Sequence, residues 1–180
     1  MKTLLILLLA TFLYGDVKEK MFNFYQNKDY SRACNIGYKG FDNFKNSEKF
    51  VSLYAFACLK SDFIDRLSVP IIRLKSSKES RTNASFFSII LMQKKLLYHS
   101  MVDGYDISSL NLPSTDYILS KVFDFYVKLD NYKKEKIYFF EDEKDKRVKY
   151  KLSLEKTNNI YKIVIEEFYD NLSKKRHIYW

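Results

Sequence analysis

Apolar positions follow two different periods along this chain, and the change falls near residue 131. Before it, spacings of three and four residues predict helices. After it, alternation predicts strands. The longest helical stretch runs from Ser76 to Gly104. Ser76 with Glu79 three residues later has capping-box spacing, and Gly104 after Asp103 offers a left-handed stop. Between them Phe86, Phe87, Ile89, Ile90, Leu91, Met92, Leu96, Leu97, Tyr98, Met101 and Val102 cover almost every direction, interrupted by Gln93, Lys94 and Lys95. A helix apolar nearly all round needs neighbours on several sides. At 1.5 Å per residue it runs about 35–40 Å, which suits a spine.

Shorter helices precede it. Val17, Met21, Phe24 and Tyr25 share a face. Asp29 is the expected cap of a second helix carrying Tyr30, Ala33, Cys34, Gly37 and Phe41. Gly37 and Gly40 in that helix mark either close approach to a neighbour or early fraying. Ser47 opens a third helix, Phe50 to Leu59, and Ser61–Asp62 is expected to cap a fourth, Phe63 to Leu74. Pro70 inside that fourth helix predicts a kink or a split. Ser114 is the expected cap of a later helix from Tyr117 to Leu129. Strands are expected at Ile137–Glu141, Val148–Leu154, Ile160–Phe168 and His177–Trp180. In the second, Val148, Tyr150, Leu152 and Leu154 alternate with Lys149, Lys151 and Ser153; in the third, Ile163 and Ile165 oppose Lys162, Val164 and Glu166. The expected fold is therefore α+β: about six helices arranged as stacked α-hairpins over residues 16–130, then an antiparallel meander of three to four strands over residues 131–180.

Residues 1–15 change the setting. Lys2 followed by the apolar run Leu4–Leu13 and Gly15 reads as a cleavable export signal, so the expected location is periplasmic or secreted. The formal net charge of +9 suits an acidic partner, anionic lipid or acidic polysaccharide, and equally a lysine-rich solvated surface. In an oxidising compartment Cys34 and Cys58 either form a disulfide, which closes a loop for about 3 kcal/mol, or stay apart as two small buried hydrophobes.

Catalytic signals are sparse. The sequence holds no glycine-rich phosphate loop, clustered Cys/His pattern or nucleophile elbow. His99 and Asp103 share a helix face at a spacing of four. They read either as a proton-transfer pair of a hydrolase or as polar neighbours satisfying each other. The oxygen-rich loop after Gly104 lacks the Glu and the Asp spacing of a calcium loop. No metal or cofactor is expected. Lys149 and Lys151, near Lys144, Lys146 and Arg147, offer an anion-binding strand face, and Glu141, Asp142, Glu143 and Asp145 cancel much of its field. Nucleic acid is not the expected partner.

The run Asn27-Lys28-Asp29-Tyr30-Ser31-Arg32-Ala33 resembles the inter-helix turn and second-helix opening of a tetratricopeptide repeat. Leu53 to Leu59 followed by Lys60-Ser61-Asp62 is similar to the first helix and turn of another such unit. The resemblance covers about residues 17–76. It implies stacked helical hairpins that present a groove to a peptide or protein. Tyr25, Tyr30, Tyr38 and Tyr54 are the expected groove residues, or else core. The expected function is then an exported, soluble, non-catalytic interaction or scaffold protein that binds another protein or peptide of the envelope. The alternatives are an envelope protein that holds anionic lipid or polysaccharide through Lys149 and Lys151, and a hydrolase built on His99 and Asp103.

Overall fold

A computed structural model describes residues 17–129 and 135–180. The expected signal, residues 1–15, and most of the expected boundary near 132–136 lie outside them. The fold is α+β, with an N-terminal helical region and a four-stranded antiparallel sheet at the C-terminus. The chain divides into two compact units, one ending at Ser85 and the other spanning Phe86–Trp180.

The first unit contains α1 (residues 17–26), α2 (Tyr30–Phe44), α3 (Glu48–Lys60), a 3₁₀ turn (Ile64–Leu67), α4 (Ser68–Arg73) and the opening of α5 (Lys78–Asp103). Lys28 adopts a left-handed φ of 59° after α1. Asp29 then caps α2 as expected, accepting the Arg32 backbone N–H at 3.1 Å. The glycines of α2 mark close approach. A Cβ on Gly37 would lie 2.5 Å from Tyr54 Cδ2 and 2.8 Å from Met21 Sδ, and one on Gly40 would lie 2.6 Å from Val17 Cγ1. Helices α1 and α3 thus press on α2 where it has no side chain. Cys34 of α2 and Cys58 of α3, both buried, are joined by a disulfide.

Three local expectations for this unit need correction. Ser61 does not open a helix: its hydroxyl donates back to the Ala57 carbonyl at 2.8 Å, Asp62 takes a positive φ of 65°, and Phe63 is the residue at the start of the next turn. The helix expected over 63–74 is split, as its proline predicts, but the change falls ahead of Pro70, where a 3₁₀ turn gives way to α4. Pro70 is the third residue of α4, in the first turn where a missing N–H is tolerated. At the start of α5 the capping hydroxyl belongs to Ser77, which accepts the Ser80 N–H at 3.0 Å. Ahead of it, the Glu48 carboxylate gathers the backbone N–H groups of Lys75, Ser76 and Ser77 at 2.9, 2.6 and 3.2 Å. Those bonds, that of Ser76 first, hold the Glu48 carboxyl down at about 2.

The second unit holds the rest of α5, α6 (Ile118–Val127) and strands β1 (Ile137–Glu141), β2 (Val148–Thr157), β3 (Ile160–Tyr169) and β4 (Leu172–Tyr179), ordered β1-β2-β3-β4. Phe87, Ile90 and Leu97 of α5 are fully buried. Gln93 and Lys94, read from sequence as interruptions, are buried with them. Gln93 does so by donating to the Pro113 carbonyl at 3.2 Å. Ser114 is not the cap of α6: its hydroxyl binds Asp124, and the helix starts at Ile118.

Two-residue turns set the sheet. Asn158 and Asn159, then Asp170 and Asn171, all have positive φ, the geometry of tight primed hairpins. The second turn lets β4 begin at Leu172, five residues earlier than expected. Helix α6 packs on one sheet face. Phe125 stacks on Phe140 at 5.6 Å between ring centres, and Tyr126 meets Tyr138 edge-on at 5.1 Å. Tyr150, Leu152, Ile163, Ile165, His177 and Tyr179 share that buried face. The opposite face is not uniformly solvated as the alternation implied, because Ser153 and Val164 at its centre are buried too.

Candidate functional site

Phe63 immediately precedes the 3₁₀ turn, Arg66 lies in it, and Val69 and Ile72 follow on α4, three residues apart and so on one side of that helix. Phe63, Val69 and Ile72 are exposed, Ile72 by 74%. Beside them on α2, Tyr38 is 61% exposed. The Arg66 guanidinium joins the two surfaces. It lies 4.9 Å from the Tyr38 ring centre and 4.7 Å from that of Phe63. Its Nη1 donates to Asn35 Oδ1 at 2.9 Å and toward the disulfide sulfur of Cys34 at 3.3 Å. The cation is therefore fixed between two rings, with donors left in its plane for an incoming acceptor. Aromatic and Arg side chains are the ones that most often dominate protein interfaces.

The other expected groove tyrosines lie elsewhere in the same unit. Tyr25 and Tyr30 meet edge-on at 5.2 Å, with Lys60 Nζ 5.3 Å from the Tyr30 ring. Tyr30, Lys60, Asn27 and Asp29 border an open depression of about 460 Å³. Burial, with Tyr30 adding to it, raises the Tyr25 phenol above its ordinary value. Tyr54 lies in the core under Gly37, and burial pushes its phenol up to about 12. Of the four, Tyr38 is the exposed one. Arg66 and Phe63 were missed from sequence. Their signal was the three-residue period through a segment that Pro70 shortens.

In the second unit, His99 Nδ1 and Asp103 Oδ2 are 2.8 Å apart on the exposed side of α5, and the Tyr105 ring stacks on the imidazole at 4.6 Å. The neighbouring Ser100 hydroxyl turns the other way, to Tyr126 Oη at 3.2 Å. The pair thus has a base and a carboxylate but not that hydroxyl as a nucleophile. Asp103 also borders a cavity of about 500 Å³ whose other walls include Tyr126, Tyr138, Tyr161, Lys136 and Lys156. Burial, then Tyr126, pushes the Tyr138 phenol up to about 12. Lys149 and Lys151 project from the sheet face away from α6. Lys151 pairs with Glu166 at 3.0 Å, and Lys149 reaches Asn171 at 3.1 Å with Glu141 3.6 Å away. Their charge is largely balanced within the sheet.

Among the described residues, no group of three His, Cys, Asp or Glu side chains is placed to hold a metal ion. Among them, too, no helix is long and apolar enough to cross a membrane. Comparison with protein-family models, curated proteins and solved structures finds no match for this chain.

Proposed function

We propose that this chain is an exported, non-catalytic scaffold of the cell envelope that binds another protein through its helical unit, in the manner of tetratricopeptide-like hairpin stacks. The observation that carries this reading is the Tyr38–Arg66–Phe63 stack with exposed Val69 and Ile72 beside it. Covering such a surface removes apolar area from water, at roughly 25 cal/mol per Å². It also desolvates a cation held against rings, which strengthens that attraction. The partner segment that fits is apolar with a carboxylate near its centre, because Arg66 offers donors that an acid accepts in pairs. The Cys34–Cys58 bridge supports the export reading, since reducing compartments keep such thiols apart.

The test is capture of the tagged protein from its own envelope, beside variants carrying Ile72→Asp or Tyr38→Ala. Both side chains are exposed, so the fold is expected to survive. A stoichiometric companion held by the unaltered protein and lost from both variants supports the proposal. A companion retained equally by all three refutes this surface.

A further inference from the structure

The β2–β3 turn, Asn158 and Asn159, ends the sheet of the second unit. Exposed apolar side chains gather around it. Ile160 follows the turn and is exposed. One level in, Lys156 pairs with Tyr161 on the face that α6 covers further back. The Lys156 ammonium lies 5.1 Å from the centre of the Tyr161 ring. On the opposite face Lys162 lies 5.8 Å from the ring of Trp180, which follows Tyr179 at the end of β4. Both rings are exposed, Trp180 by 64%. Behind Trp180, Ile137 and Ile178 are level in register and exposed as well. Single exposed apolar residues are ordinary, whereas a contiguous group marks a place of contact.

We infer that this end of the sheet docks on the surface of an anionic membrane. A lysine laid along an aromatic ring buries its stem and keeps its charge at the tip. Aromatic and basic side chains take that arrangement at the boundary between lipid and water. Here it occurs on both faces of one turn. The cations at this end are Lys136, Lys156, Lys162 and Arg176. The carboxylates are Glu135, Glu155 and Asp103, of which Glu155 is held by Arg176 and Asp103 is bonded to His99. The local balance is positive, and the whole chain carries +9, so anionic headgroups complement it. The shape excludes other occupants. The apolar groups lie on both faces of a protruding turn, and a rigid protein surface covers one face at a time, whereas a fluid interface surrounds the tip. Exposed isoleucines gain nothing from a phosphodiester chain. Asn158 and Asn159 are polar, so the tip stops among the headgroups and the rings reach the boundary with the acyl chains. This goes beyond the proposed protein-binding role and rests on different residues.

The test adds vesicles to the full chain as isolated from the expressing cell. They contain phosphatidylglycerol and phosphatidylcholine in equal parts, or phosphatidylcholine alone, at low and high salt. Trp180 is the single tryptophan, so its emission reads the site itself. The expected result is a blue shift with the anionic vesicles, quenched by lipids brominated near the headgroup and weaker at high salt. Phosphatidylcholine alone should give little shift. Co-sedimentation with the anionic vesicles measures the variants. Lys156→Glu combined with Lys162→Glu should weaken binding at least about tenfold, and Ile160→Asn should weaken it without changing the charge. Lys144→Glu combined with Lys146→Glu makes the same change of charge at the exposed β1–β2 turn, the other end of the sheet, and should retain most of the binding. No binding to the anionic vesicles at low salt, binding without a shift of Trp180, equal losses from the two double variants, or a shift produced by a single-stranded oligonucleotide and not by vesicles overturns the inference.

Discussion

Reduction of the Cys34–Cys58 bridge is the perturbation whose size follows most directly from the structure. The two residues are 24 apart in sequence. The chain-entropy relation for a loop of that length gives about 3.5 kcal/mol at 25 °C. A domain has about 5–15 kcal/mol in total, so the reduced protein keeps its fold with a much smaller margin. With a urea dependence of about 1–3 kcal/mol per M, the midpoint should fall by about 1–3 M. Both sulfur positions are fully buried, so Cys34→Ala combined with Cys58→Ala should land close to the reduced protein. The assay is urea unfolding followed by helical circular dichroism, with and without reductant. Emission from Trp180, the single tryptophan, reports on the other unit. If the oxidised and reduced proteins unfold at the same midpoint, the bridge does not restrain the unfolded chain, and the reasoning is refuted.

Three further outcomes are expected. Gly37→Ala gains about 1 kcal/mol of helix propensity but sets a methyl against the buried Tyr54 ring and Met21. Overpacking of about 1–3 kcal/mol should win and lower the Tm by at least about 2 °C; an unchanged or raised Tm contradicts the close approach. The folded carboxyl of Glu48 is held down at about 2, below its ordinary 4.5, so its contribution is present above pH 4.5 and fades as pH falls toward 2. The Tm gap between the unaltered protein and Glu48→Gln should accordingly be full at pH 6 and nearly gone at pH 2, and a gap that persists undiminished in acid denies the role of the charge. Arg66→Ala removes two ring contacts and the bond to Asn35, at about 1–2 kcal/mol by chemical unfolding; Arg66→Lys should fail to recover it, because an ammonium cannot stack between two rings.

The order of helices and then sheet was legible because the period of the apolar residues changes, and periodicity survives almost any tertiary arrangement. Strand β1 was found with its ends correct, since Ile137–Glu141 is bounded by charge on both sides. Caps were less legible. Ser76, Ser77, Ser61 and Ser114 look alike in sequence, yet Ser77 caps, Ser61 bonds backward to Ala57, and Ser114 is taken by Asp124. Which acceptor a hydroxyl serves depends on partners many residues away, as Glu48 illustrates by closing the approach to α5 from a separate helix. The exposed stripe was hidden for a related reason. Phe63, Val69 and Ile72 belong to the same apolar pattern as the buried Ile64, Leu67 and Leu74, and the pattern alone does not say which of them a neighbour covers. Tyr38 shows in the sequence as a tyrosine on a helical face. Its partner Arg66 belongs to a different element, and sequence distance hides such a meeting.

The claim on which this account rests is that the face made by Tyr38, Arg66, Phe63 and Ile72 is covered by one particular protein. Photo-crosslinking in growing cells measures that cover directly, with the reactive side chain placed at position 38, at position 72 and, as a control, at the exposed Glu79. One discrete adduct of the same mass at positions 38 and 72, missing at 79 and lost when Arg66→Ala is added, is the predicted result. Adducts shared equally by all three positions, or none at 38 and 72, would contradict it.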